Sequence, residues 1–361
     1  MTRKNLFLLI IIIILSLLGG IIGGIIVRSY LINSSFGLPV FGDINLGKQN
    51  QNGSIVISQP KKVIVEQNDR VTDVITEGRK SLVSFYREKV INMSAKDVVN
   101  LNQFYFPKDK ISEGLVLTND GWIITLAKLD KNFIAIDHEN KILEIEDTIF
   151  DKETGYHFVK LKASNLVAVQ FAEKNNIKDG QILVSLNLDN NSISYIQNSN
   201  YFNDLNGIKS SEKLYRLIKI DKDLNKSEVQ FNLDGSVVGL YSEKNLVKPI
   251  KNFTLVLTNL LNNQKIARPA LGINYISLAG LKGEQEADGA YIRSFTNIRN
   301  NPALIAKLKV GEVILEVDGV KVDENNTLSE LIQDLKVNEK VELSILRAGK
   351  EEKIEVELGE K

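Results

Sequence analysis

The chain has 361 residues, with Lys+Arg and Asp+Glu balanced at 45 each. It is long enough for two or three domains and carries no net field to steer it to nucleic acid or another highly charged partner. Cysteine is absent and histidine occurs only twice, which excludes a disulfide framework, thiolate metal ligands and a cysteine nucleophile, and leaves too few imidazoles for a histidine metal site. No metal and no cofactor are expected.

In chain order, residues 1–5 form a short tail with Arg3 and Lys4, and Leu6 to Val27 is apolar except for Ser16. At 1.5 Å per residue that run spans about 33 Å, close to a hydrocarbon core of roughly 30 Å. It is longer than a signal-peptide apolar region, and no small-x-small cleavage site follows it, the next residues being Arg28-Ser29-Tyr30-Leu31. The spacing predicts an uncleaved transmembrane helix over 6–27, a cytoplasmic N-terminus and everything after Val27 outside the cell membrane. Gly19, Gly20, Gly23 and Gly24 form Gly-x3-Gly pairs, a spacing that permits helix association but that glycine-rich membrane helices also show without it. Residues 28–62 are polar and rich in Gly, Ser, Asn and Gln, which predicts a flexible tether.

From Val63 the pattern changes to a helix with Val71, Val74 and Ile75 on one face, then an alternating strand near Leu82-Val83-Ser84-Phe85. Gly114 to Leu129 reads as two apolar strands around a tight Asn119-Asp120-Gly121 turn, a strong hairpin signal. Short strands follow at 133–136, 142–145, 156–161, 177–184 and 217–220, and a second hairpin spans Gln230–Tyr241 around Leu233-Asp234-Gly235. Strands at this spacing argue for barrels or sandwiches without choosing between them. The helix-strand opening and the Gly114–Leu129 hairpin resemble HtrA (Deg-type) trypsin-like serine proteases. That resemblance implies a chymotrypsin-like double β-barrel over 63–263, in a mostly β chain with a C-terminal α+β domain.

In that family the hairpin runs into Thr-Asn-x-His-Val, whose histidine is the general base. Here the run is Thr125-Leu126-Ala127-Lys128-Leu129, so the histidine's place falls on Lys128. The strand that normally opens with the orienting aspartate is Gly155-Tyr156-His157-Phe158-Val159-Lys160, which puts Gly155 at the carboxylate's place. Counting back from Gln230-Phe231-Asn232-Leu233-Asp234-Gly235, the nucleophile's place falls on Lys226, with Ser227 next to it. A serine hydrolase needs an activated hydroxyl and backbone N–H groups turned toward the oxyanion, and no glycine in Leu224–Glu228 supplies that turn. Ser227 with Lys128 is the remaining possible nucleophile–base pair. His138, at a hairpin tip, and His157, on a strand, read as solvated and packed histidines. On this reading the chain is a pseudoprotease and not an enzyme; the alternative is a serine endopeptidase with displaced catalytic residues.

The C-terminal segment, 266–360, resembles a PDZ domain of the HtrA type. The resemblance rests on Arg268-Pro269-Ala270-Leu271-Gly272-Ile273, on Asp288-Gly289-Ala290-Tyr291-Ile292, and on Asn301-Pro302-Ala303 through Val317-Asp318-Gly319. An amphipathic helix over 327–335 and strands at 341–346 and 354–358 complete it. PDZ domains add an extended peptide to a sheet edge and hold its terminal carboxylate on backbone N–H groups. The resemblance therefore implies a loop at Ala270, Leu271, Gly272 and Ile273 for the carboxylate, a pairing strand with Ile273 and Tyr275, and a side-chain pocket at Leu328, Leu331 and Ile332. Expected partners are protein C-termini or extended peptides, with a scaffold or regulatory role in extracytoplasmic protein quality control. A homotrimer, or a hetero-oligomer with an active HtrA relative, is the expected assembly.

Overall fold

The computed structural model describes residues 67–89, 104–202, 207–226, 228–263, 265–279, 281 and 288–361, together with 16, 20, 36–38 and 42–44 nearer the N-terminus. Contacts divide the chain into two compact units, Met1–Gln67 and Asn68–Lys361. In the first, β1 (Phe36–Leu38) pairs antiparallel with β2 (Gly42–Ile44), inside the stretch expected to be tether alone. The expected span 6–27 lies outside the described residues apart from Ser16 and Gly20. No helix among the described residues is long and apolar enough to cross a membrane.

The second unit opens with α1 (Gln67–Lys80), then β3 (Leu82–Arg87), the predicted helix-strand order. With β4 (Ser112–Val116), β5 (Trp122–Thr125), β6 (Phe133–Ile136), β7 (Ile142–Asp151) and β8 (Tyr156–Leu161), β3 closes a barrel in the order β3-β4-β5-β8-β7-β6. The alternation of strand side chains decides what each residue packs against. Val83, Phe85 and Ile123 point into this barrel, while Leu82, Trp122 and Ile124 point to a second core shared with α1 and the following domain. The β4–β5 hairpin pairs Leu115 with Ile124 and Val116 with Ile123. Its turn needs Gly121: φ is +106°, and a Cβ there would lie 2.6 Å from the Leu161 carbonyl oxygen.

Next come β9 (Gln170–Phe171), β10 (Ile182–Leu186), β11 (Asn191–Phe202), β12 (Ile208–Ser210), β13 (Arg216–Ile220), β14 (Val229–Asn232), β15 (Ser236–Glu243) and β16 (Leu246–Pro249). The sheet runs β14-β10-β11-β13-β16-β15, and a β14–β15 pairing closes it into a second barrel, with β9 parallel on β15. Leu183, Ile196, Ile218, Ile220, Val238 and Val247 fill it. Two helices, α2 (Lys251–Thr254) and α3 (Leu257–Asn263), carry Phe253 and Leu260 into the shared core.

The C-terminal domain comprises β17 (Pro269–Ala270), β18 (Ile273–Ser277), β19 (Ala290–Phe295), α4 (Pro302–Ile305), β20 (Val313–Val317), β21 (Val320–Lys321), α5 (Leu328–Gln333), β22 (Lys340–Arg347), β23 (Lys350–Glu357) and β24 (Gly359–Glu360). Helix α5 is held at its start by a capping box between Thr327 and Glu330. The sheet order is β12-β18-β19-β20-β22-β23, so a strand from the second barrel's segment forms the edge of the C-terminal sheet.

Candidate functional site

Lys128 is exposed just beyond β5, and the strand register sets Thr125 opposite His157. Burial, and then the nearby Lys128 ammonium, hold the His157 imidazole below its usual 6.5. The ring packs on Phe150 at 4.8 Å between centroids, and its Nδ1 is buried without a hydrogen-bond partner. Gly155 sits in the exposed β7–β8 turn with φ +77°. Lys226 is exposed, 3.5 Å from Glu243 of the second barrel. Ser227 lies outside the described residues. Among the described residues no hydrogen bond or ion pair joins Lys128, Gly155 and Lys226. His138 lies at the β6–β7 tip, 3.9 Å from Glu139.

The C-terminal domain gathers the residues expected to bind peptide. Ala270 is buried in β17, paired with Gly359. Leu271, Ile273, Tyr275, Leu328 and Ile332 are buried in one apolar cluster, and Leu331 packs partly against it. The Tyr275 side chain crosses this core: its hydroxyl accepts the Ser329 N–H at 3.3 Å, and burial pushes it up to about 12. Gly272 has φ +93°, and its carbonyl accepts from Asn301 Nδ2 at 2.7 Å. Its N–H points the other way and donates to Glu212 Oε1 at 2.7 Å. A carboxylate therefore sits at the loop where a terminal carboxylate is expected.

Strand β12 brings that carboxylate in. It runs antiparallel along β18, with Ile208 opposite Ile276, Lys209 opposite Tyr275 and Ser210 opposite Asn274. Ser211 N–H donates to the Ile273 carbonyl at 3.0 Å, and Ile273 N–H returns a bond to Ser211 Oγ at 3.2 Å. Sequence reasoning missed Ser210, Ser211 and Glu212. A three-residue strand gives no periodicity, and its pairing partner lies far along the chain.

Residues 269–358 match the family profile of the PDZ domain. The chain is 26% identical over 271 residues to the "Probable periplasmic serine endoprotease DegP-like" of Halomonas elongata, covering 69% of this chain and 56% of the relative. It is 29% identical over 151 residues to the "Serine protease Do-like HtrA" of Bacillus subtilis, covering 36% of this chain and 33% of the relative. The chain carries a PDZ domain and is homologous to HtrA/DegP serine proteases. It spans about half the length of the Halomonas relative. Among solved structures, the HtrA-type protease AlgW with a decapeptide matches with TM-score 0.56 at 16% identity, covering 81% of this chain and 98% of AlgW. AlgW with a tripeptide gives TM-score 0.57 at 15% identity, covering 81% of this chain and 97% of AlgW. These matches show the fold: the double barrel followed by a PDZ domain.

One expectation is corrected here. The reading of the chain as not an enzyme runs against its relatives, which are named serine endoproteases and serine proteases. Matching single residues to a motif assigns side chains to three expected positions. It does not test every hydroxyl and imidazole that a folded site can bring together.

Proposed function

We propose that this chain recognises the C-termini or extended ends of unfolded or partner proteins through its PDZ groove, in extracytoplasmic protein quality control. The observation that carries the reading is the Gly272 N–H, which donates at 2.7 Å to a carboxylate oxygen at the head of an edge strand. Backbone donors at a loop of this form accept an anion without a cationic side chain. The apolar run over 6–27 supports a single N-terminal membrane anchor, and the periplasmic naming of the relatives supports placing the globular part outside the cytoplasm. Assembly as a trimer, or with another HtrA-type subunit, belongs to the same reading. The test compares binding of an apolar C-terminal peptide with its C-terminal amide, by fluorescence polarisation on the purified chain. Selective binding of the free carboxylate is expected; equal binding of the two overturns the reading.

Serine endopeptidase activity is the second reading, favoured by the names of the relatives. His157 is the imidazole beside Lys128, and with its pKa held down it is neutral at pH 7 and available as a base. Ser227 is the hydroxyl next to the expected nucleophile position. Incubation with unfolded casein and with a fluorophosphonate probe tests this. Labelling lost in Ser227→Ala supports it, and absence of both labelling and cleavage overturns it.

A further inference from the structure

We propose that residues 208–212 are an internal ligand of the PDZ groove: β12 occupies the peptide's place on β18, and the Glu212 side chain stands in for a terminal carboxylate. The proposal rests on the reading of the groove as a peptide site and states how that site is regulated.

Direction, edge and head group all agree. A bound peptide adds antiparallel to the sheet edge with its C-terminal end at the loop. β12 is antiparallel to β18, and its C-terminal side, Ser211 and Glu212, lies at Ile273 and Gly272. Because the chain continues beyond Glu212, a main-chain carboxylate is not available there, and the side chain supplies one instead. Glu212 is 3% exposed. Its carboxylate oxygens accept from three donors: Gly272 N–H at 2.7 Å, Ser211 Oγ–H at 2.5 Å and Ser210 Oγ–H at 2.6 Å. An unpaired edge strand exposes a row of main-chain donors and acceptors, and here this edge is covered by the chain itself.

Two consequences follow. An incoming peptide must displace β12, so its apparent affinity is reduced by the fraction of molecules in which the groove is vacant. Displacement also reaches the second barrel. β13 begins at Arg216, four residues past Glu212, and Arg216 is bonded to Glu330 of α5, the helix that carries Leu328, Leu331 and Ile332. Both walls of the groove are therefore tied to one short stretch of the barrel domain.

The experiment measures binding of a fluorescent apolar C-terminal peptide and its amide to the wild-type chain, Glu212→Ala and Glu212→Gln. The expected result is at least tenfold tighter binding of the free-carboxylate peptide to both variants, with the amide weak throughout. A second variant controls for folding. Ser210→Cys with Asn274→Cys places two thiols directly opposite each other in a chain that otherwise has no cysteine. Opposite residues in antiparallel strands lie within disulfide reach. Oxidation is expected to abolish peptide binding and reduction to restore it. If carboxylate peptides bind wild type and Glu212 variants equally, or the oxidised form as well as the reduced one, the internal-ligand proposal is overturned while the peptide-site reading stands. If no form of the chain prefers a free carboxylate, both fall together.

Discussion

Arg216 of β13 and Glu330 of α5 form a forked ion pair between the second barrel and the PDZ domain. Arg216 Nη2 donates to Glu330 Oε2 at 2.8 Å and Nε donates to Oε1. Little water reaches it: the two side chains are 6% and 12% exposed. Arg216 Nη2 also donates to the carbonyls of Glu324 and Asn325, and Lys174 approaches Glu330 at 3.2 Å. Burial on its own would raise the Glu330 carboxyl, but bonding to Arg216 and the charges of Arg216 and Lys174 hold it below the usual 4.5. Lys174 is moved differently: burial pulls its ammonium down, and the like charge of Arg216 adds to that.

Glu330→Gln is therefore expected to destabilise the chain by about 3 kcal/mol, because Arg216 is left buried without its counter-charge. Glutamine still serves the capping box with Thr327, so helix α5 keeps its start. Urea titration read at the PDZ domain checks this. A loss below about 1 kcal/mol would place the pair with ordinary surface ion pairs.

The same carboxylate gives an acid sensitivity with a definite sign. Its folded pKa is below the unfolded value of 4.5, so its contribution to stability is fully present above about 4.5 and is lost as pH falls further through the folded value. Unfolding midpoints from pH 7 to pH 3 should fall more steeply for wild type than for Glu330→Gln. Parallel curves would show that other carboxylates control the acid limb.

These relationships mark where the sequence stopped being informative. Periodicity placed β6 at 133–136 and β8 at 156–161 with the bounds the structure has; in β8, Tyr156 and Phe158 face the shared core while Val159 and Leu161 face the first barrel. The Asn119–Gly121 turn was legible because only a glycine avoids the Leu161 carbonyl there. The loop at Leu271–Ile273 was visible through Gly272. In contrast, β12 and Glu212 were not. Ile208-Lys209-Ser210 carries no pattern, and a buried glutamate held by N–H and O–H donors looks like a surface residue in one dimension. β7 runs past the expected 142–145 to Asp151, and its outer half has no apolar alternation to mark it. Helices α2 and α3 were not anticipated. Lys128, Gly155 and Lys226 were located by a motif, and the structure adds what a motif cannot give: Lys128 acts on His157, while Lys226 pairs with Glu243.

The Lys128–His157 relationship can be read directly, since the chain has two histidines. Two-dimensional NMR should resolve two imidazole titrations, with the one lost in His157→Gln lying below 6.5. Lys128→Met removes the nearby positive charge and is expected to raise that value, leaving the part due to burial in place. A value unmoved by Lys128→Met would mean that burial alone sets it.

Gly272 is expected to be the least replaceable residue of the groove. At φ +93° any side chain is strained by roughly 1–3 kcal/mol, and a Cβ would lie 2.4 Å from Asn301 Oδ1. Asn301 has no room to yield cheaply: its Oδ1 accepts the Leu304 N–H as the cap of α4, and its Nδ2 donates to Gly272 and Thr296 carbonyls at 2.7 and 3.0 Å. Gly272→Ala should therefore carry the backbone strain plus the loss of a helix cap, about 3 kcal/mol together. Gly349→Ala is the matched comparison. Its φ is +77°, but nothing lies within 4 Å of the added Cβ, so it should carry strain alone, about 1–2 kcal/mol. Denaturant titration of the two variants separates the terms. Equal losses would show that Asn301 moves aside freely and that the close approach at Gly272 is not what fixes this loop.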